Sequence, residues 1–268
     1  MKSRADQLLV ERGLCESRAR AQAAIAAGLV TADGRPVRKA SEMLARNAAL
    51  TAQAPHPYVS RGGLKLAEAL DVFGFDPAGR VCLDVGASTG GFTDLLLQRG
   101  ARHVIAVDVG RDQLHASLRG DPRVLSLEAR DIRTLQPSEL PEAPSLAAID
   151  VSFISLRLVL PAVAALLAPA AQIAALIKPQ FEAGRAALKK GIVRDEAVHA
   201  SVCTEIGEVL ARLGFVVDGP APSPIEGGDG NREFLIGGRR GQNTLSIEPL
   251  TAASEKSEKC TPPFRPTL

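Results

Sequence analysis

The chain has no tryptophan, one tyrosine and 3% aromatic residues overall, and residues 1–52 contain no aromatic side chain. Recognition by ring stacking is therefore excluded from the N-terminal part of the molecule, whatever it binds. Cysteine is also scarce. Cys15, Cys82, Cys203 and Cys260 are far apart and form no Cys-x-x-Cys pair, so neither a disulfide framework nor a cysteine-built zinc site follows, and no metal is expected. The opening MKSRADQLLVERG lacks the uninterrupted apolar core of a secretion signal, which makes a reducing cytoplasm the expected compartment. One uncharged run needs a membrane check. Residues 158–177 are long enough to span, but Pro161, Pro169 and Gln172 interrupt them and alanine dominates. They read as an apolar helix, a break at Pro169 and a buried strand, not as a span.

Bulk charge is lacking too: the net charge of the 268 residues is +2. Its distribution says more. Residues 1–50 hold nine Lys/Arg against five acids, so the N-terminal end carries more positive excess than the whole chain. A basic module on a near-neutral body points to a polyanion, although a solvated helical face would look similar.

Within residues 1–52, Ala5, Leu8 and Leu9 form a short apolar helical face that Gly13 can end, and Ser17 is a good N-cap for a second helix closed by Gly28. Asp33-Gly34 between short apolar runs predicts a tight hairpin. Residues 53–60, with two prolines, read as an extended linker. From there to residue 240, short apolar runs alternate with helical patterns: VCLDVG from Val81, HVIAVDVG from His103, RVLSLEARD from Arg123, LAAIDVS ending at Ser152 and AQIAALIKP from Ala171. Such runs fit a parallel sheet covered on both faces. FVVDG and REFLIGG predict a final antiparallel pair after a helix over about 193–213. Residues 241–268 are polar and proline-containing, and read as a disordered tail.

The segment DVGASTGGFTD from Asp84 follows a strand and opens a helix. At that turn of a doubly wound sheet, ligands bind at the carboxyl edge. The spacing fits neither GxGxxG nor a phosphate-binding loop ending in Lys-Ser/Thr. It suits S-adenosylmethionine. Asp84 offers a carboxylate to the amino group of the methionine part, Asp108 at the next strand end accepts from the ribose hydroxyls, and Asp131 at the third accepts from the adenine amino group. Gly86, Gly90 and Gly91 allow close approach, and Ala87, Ser88, Val109 and Ile132 complete the expected contacts. Asp150 and Lys178 close the fourth and fifth strands, Lys65 precedes the first, and Glu233 lies on the last. Lysines framed by carboxylates suit proton transfer during attack of a hydroxyl on a methyl sulfonium. Singly, each is as well explained as a structural salt bridge; three of the four fall at the active edge.

The motifs RADQLLVERGLCESRARAQAAIAAGLV, YVSRGGLKL, DVGASTGGFTD, DVSFISL, IKPQFE and NREF, over about residues 3–240, resemble the TlyA (hemolysin A) family of bacterial ribosomal RNA 2′-O-methyltransferases. The resemblance implies an S4-like RNA-binding α/β domain over 1–52. It implies a Rossmann-like class I methyltransferase domain of the FtsJ type, with a mostly parallel seven-stranded sheet, over 61–240. It also implies a Lys65-Asp150-Lys178-Glu233 tetrad. In that tetrad Lys178 would activate a ribose hydroxyl, Asp150 would support it, and Lys65 and Glu233 would position lysine and nucleotide. The expected partner is ribosomal RNA or a ribosomal subunit, with cytidine the target nucleotide known for the family. Lys2, Arg4, Arg18, Arg20 and Lys39 are the expected phosphate contacts, with Arg185, Lys189 and Lys190 as a further clamp. A monomer is expected. The rival readings are a membrane-active haemolysin, which the missing amphipathic aromatic-rich helix disfavours; a non-catalytic assembly factor, which the intact tetrad disfavours; and a methyltransferase of small molecules or protein, which the basic module disfavours.

Overall fold

The computed structural model describes residues 2–241 apart from 55, 185, 186, 189, 228 and 229. The expected tail, Arg185, Lys189 and Cys260 lie outside the described residues.

The N-terminal module runs β1 (Lys2–Arg4), α1 (Ala5–Glu11), α2 (Arg18–Ala26), β2 (Val30–Ala32), β3 (Arg35–Pro36), β4 (Met43–Ala45) and β5 (Leu50–Ala52). Ser17 caps α2 by accepting from the Arg20 amide at 3.3 Å, an arrangement worth about 1 kcal/mol. Asp33 and Gly34 both adopt positive φ, +48° and +75°, which closes the β2–β3 hairpin as the dipeptide predicts. β1 pairs with β4, and β3-β2-β5 form a second small sheet. Ala5, Leu8, Leu9, Ala24, Ile25, Val30, Val37 and Leu44 make one buried cluster of their own.

The linker differs from the expected extended path. Residues 56–60 bend, because Val59 donates its amide to Asp94 at 2.8 Å and Gln98 donates to the Pro57 carbonyl at 3.1 Å.

The body runs α3 (Gly62–Phe73), β6 (Val81–Val85), α4 (Gly91–Gln98), β7 (His103–Val107), α5 (Ala116–Arg119), β8 (Val124–Leu127), β9 (Leu146–Ile149), α6 (Leu156–Leu166), β10 (Ala171–Ile177), α7 (Pro179–Glu182), α8 (Glu196–Arg212), β11 (Val216–Pro222) and β12 (Phe234–Arg240). Its seven-stranded sheet has the order β11-β12-β10-β9-β6-β7-β8. Only β12 runs against its neighbours. Alternate residues face opposite layers: Leu83, Val85, Ile105, Ile149, Ile173 and Ile177 pack under α6 and α8, while Cys82, Val104, Ala148, Ala174 and Leu176 pack under α3 and α4. Burial on both faces explains the uninterrupted apolar runs.

Residues 158–177 form a helix that ends at Leu166 and a strand that begins at Ala171, with Pro161 on the exposed side of α6, where its missing amide is least costly. Arg240 donates to the carbonyls of Ala164 and Ala168, each at 3.2 Å, and so closes the C-terminal end of α6. No described helix is long and apolar enough to cross a membrane. β8 stops at Leu127, short of the run read to Asp131. There the Glu128 carboxylate accepts from the amides of Asp112, Gln113 and Leu114, bonds that hold its pKa below the usual range, and the chain turns away from the sheet.

Candidate active site

The strand order reverses between β6 and β9, so the loops after these two strands face each other across a crevice. The backbone there is very close. Gly86 has φ +84°, and a Cβ on it would lie 2.4 Å from the Asp150 carbonyl oxygen. Gly91 is confined chiefly by a side chain, with the Ser60 hydroxyl 2.1 Å and the Gly63 amide nitrogen 3.1 Å from where its Cβ would stand. Glycine is required by packing at both positions, and at Gly86 by the turn as well.

A cavity of about 890 Å³ opens along this edge. Gly86, Ser88, Asp108, Val109, Asp131 and Ile132 line it, together with Asp150, Ser152, Phe153 and Phe181. Asp108 accepts from the amides of Ser88 at 2.8 Å and Gly110 at 2.7 Å, which binds the first two loops together. Asp131 caps a short turn and is gripped by Arg133 at 2.6 Å, and the guanidinium holds its carboxyl below the usual range. A second cavity of about 250 Å³ is lined by Ser60, Arg61, Lys65, Gly86, Ala87, Ser88, Gly91 and Asp150. Asp150 thus borders both. Asp84 and Gly90 line neither. Asp84 lies fully buried behind the loop, where Thr93 donates to Oδ2 at 2.6 Å and Oδ1 has no partner. Burial pushes this carboxyl up to about 7, against the Thr93 bond, which lowers it.

The four proposed catalytic side chains form two ion pairs. Lys178 Nζ is 2.6 Å from Asp150 Oδ1 and donates to Ser152 Oγ at 2.9 Å. Lys65 Nζ is 2.5 Å from Glu233 Oε2. The sheet accounts for the convergence. β9 and β10 are parallel neighbours that end at Ile149 and Ile177, so Asp150 and Lys178 leave the same edge. β12 pairs Phe234 with Ile177, so Glu233 enters the sheet where Lys178 leaves it. Lys65, Lys178 and Glu233 are 8%, 9% and 5% exposed. Charges buried this deeply persist only when paired, and each lysine has its own carboxylate.

Sequence reasoning assigned no role to Ser152, Phe153, Phe181 or Glu182, although all lie inside quoted motifs. Phe153 is 90% exposed with φ +64°, a backbone region that costs a bulky residue roughly 1–3 kcal/mol. Its ring centroid lies 5.0 Å from that of Phe181. The two rings are tilted by 50° and both line the larger cavity.

The expected phosphate contacts of the N-terminal module are placed less uniformly. Arg4 and Arg18 both grip Asp6, at 3.0 and 2.9 Å. Arg20 faces the body: it pairs with Glu16 at 3.0 Å and donates to the Tyr58 carbonyl at 2.5 Å. Lys2, Lys39 and Lys190 are exposed. Among the described residues no cluster of His, Cys, Asp or Glu could hold a metal ion.

Residues 58–240 match the FtsJ-like methyltransferase family and residues 3–50 the S4 domain. The chain is 46% identical over 267 residues to YqxC of Bacillus subtilis (strain 168), covering 96% of this chain and 95% of that one. It is 43% identical over 238 residues to the 16S/23S rRNA (cytidine-2′-O)-methyltransferase TlyA of Mycobacterium tuberculosis, covering 88% and 89%. A solved Streptococcus thermophilus structure named for haemolysis superposes with a TM-score of 0.71 at 44% identity, covering 90% of this chain and 89% of that one.

Proposed function

The chain belongs to the FtsJ-like methyltransferase family, and from that premise we propose that it methylates a ribose 2′-hydroxyl of ribosomal RNA, on a cytidine, in the cytoplasm. In this reading residues 1–52 bind RNA, residues 61–240 carry the chemistry, and the protein acts as a monomer. The observation that carries it is the Lys178–Asp150 pair, 2.6 Å apart, at a residue that borders both cavities.

The cavities suit an elongated cofactor. Asp108 and Asp131 offer acceptors for ribose and adenine in the larger one, with Val109 and Ile132 against the ring. Ser60 and Arg61 in the smaller one suit a carboxylate, and the free Oδ1 of Asp84 behind the loop leaves an acceptor for an ammonium. When bound, S-adenosylmethionine supplies a methyl group on a sulfonium. The hydroxyl oxygen forms the new C–O bond as the C–S bond breaks, and its proton must leave. An ammonium has no lone pair, so Lys178 would first release a proton to water in the cavity that Asp150 and Ser152 line and then take the hydroxyl proton at Nζ, while Asp150 and Ser152 fix the position of that nitrogen. Glu233 holds Lys65, which lines the smaller cavity. Phe153 and Phe181 offer a stacking surface for the base of the target nucleotide, a feature the N-terminal module lacks.

The test is transfer of labelled methyl to purified ribosomal subunits, with the product mapped as ribose or base methylation. Lys178→Ala should lower turnover by about 10³-fold, within the range of a lost general base, with cofactor affinity nearly unchanged. Full turnover in the variant removes Lys178 from the mechanism; no transfer by wild type that binds cofactor removes ribosomal RNA as substrate.

A further inference from the structure

One buried carboxylate has no part in the reaction above. Glu182 ends α7, and its side chain is 2% exposed. Oε1 accepts from the Leu156 amide at 2.7 Å, and Oε2 accepts from the Ser155 hydroxyl at 2.5 Å. Arg157 lies 3.8 Å from the carboxylate and donates to the Glu182 carbonyl at 3.1 Å. These contacts join two loops of the active edge. Residues 150–155, after β9, form a strap that crosses to the loop after β10. Lys178 fastens the near end through Asp150 and Ser152, and Glu182 fastens the far end. Phe153, with its left-handed backbone, stands between the two fastenings, and its ring meets Phe181, the neighbour of Glu182.

Helix capping alone does not account for Glu182. Ser155 already caps α6 by accepting from the Arg157 amide at 3.1 Å. That leaves the Leu156 amide, which Glu182 Oε1 takes as a cap would; the bond from the Ser155 hydroxyl to Oε2 is the contact a helix start does not need. Phe153 needs the second fastening. A bulky residue keeps positive φ only where its surroundings over-determine it. With the far end loose, the strap would relax toward ordinary φ and withdraw Ser152 from the lysine.

We propose that Glu182 is a positioning residue: it fastens the far end of the 150–155 strap, which keeps Asp150 and Ser152 on Lys178 and Phe153 at the cavity mouth. The inference rests on the methyl-transfer reading for its rate effect, but not for its structural effect.

The test uses Glu182→Gln in the full chain, which preserves shape and turns one acceptor into a donor that faces a donor. With active sites titrated by cofactor binding, kcat on the ribosomal substrate should fall about 10- to 100-fold, the cost of a small misplacement. The dissociation constant for S-adenosylmethionine, measured by calorimetry, should stay within about threefold. Amides of residues 152–156 should exchange faster than in wild type, with those of the later turns of α6 unchanged. A lower Tm with kcat intact would mean a cap and nothing more, and would overturn the proposal. If Glu182→Gln does not fold, Ser155→Ala decides, although it removes the cap on the Arg157 amide together with the 2.5 Å contact: a smaller fall in kcat at constant cofactor affinity, with faster exchange at residues 152–154, supports the fastening, and unchanged kcat, whatever the exchange in the first turn of α6, refutes it. If wild type transfers no methyl to RNA, the functional reading fails separately, and amide exchange alone decides, with unchanged exchange refuting the fastening.

Discussion

Asp6 in the N-terminal module and Asp84 beneath the loop after β6 are both 0% exposed, yet their surroundings are opposite. Asp6 accepts from Arg4, Arg18, Gln22 and the Gln7 amide, and these donors, Arg4 foremost, hold its carboxyl well below the usual range. Asp84 has one donor and one orphaned oxygen, and burial raises it. A saturated buried acid marks architecture. An unsaturated one behind a loop that lines two cavities is a candidate for function.

The largest effect that would test this contrast is on Asp6. Asp6→Ala should cost about 3 kcal/mol, because it strands two guanidiniums; their partial exposure keeps the figure below that of a fully buried pair. Urea denaturation would measure it, and a loss under about 1 kcal/mol would mean that Asp6 is not structural. Asp84→Asn should leave the fold intact and weaken S-adenosylmethionine binding about 10- to 30-fold, the scale of one lost charge-assisted bond. Unchanged affinity would return Asp84 to the core. The same variant carries a pH signature. An acid whose folded pKa is raised to about 7 binds a proton in the folded state that the unfolded chain has already released. Cofactor-free wild type should therefore lose stability as pH rises from about 4 to about 7, at up to about 1.4 kcal/mol per pH unit, and then level off. Asp84→Asn should remove that slope, and denaturation midpoints at pH 5 and 8 would show it. The smallest effect belongs to the exposed lysines. Lys2→Ala and Lys39→Ala should each weaken RNA binding only about threefold and reduce the salt dependence by about one released ion; a salt slope unmoved by both would place the RNA elsewhere.

Much of the body was legible because its signals are local and repeated. Continuous apolar runs gave the strands, and acids or lysines just past them marked the edge where Asp108, Asp150 and Lys178 now stand. The Asp33-Gly34 hairpin and the pairing of β11 with β12 were equally readable. β1, β4 and β5 were not, since each is three residues long and shows no period. The grip of Asp6 on Arg4 and Arg18 was hidden for a different reason: a charge count cannot tell a free cation from one already engaged. Phe153 escaped because its backbone opposes the preference of its side chain, and Glu182 because Ser155 and Leu156 lie far away in sequence. What remained unreadable was mostly long-range or strained, as expected where function overrides local preference.

Gly86 sets the tolerance of the whole site. One carbon added there would land 2.4 Å from the carbonyl of Asp150, so the loop after β6 and the loop after β9, to which the proposed function gives the methyl donor and the acceptor, are gauged against each other by a missing side chain. Neither can shift alone, and an error at this position would be paid on both sides of the reaction at once.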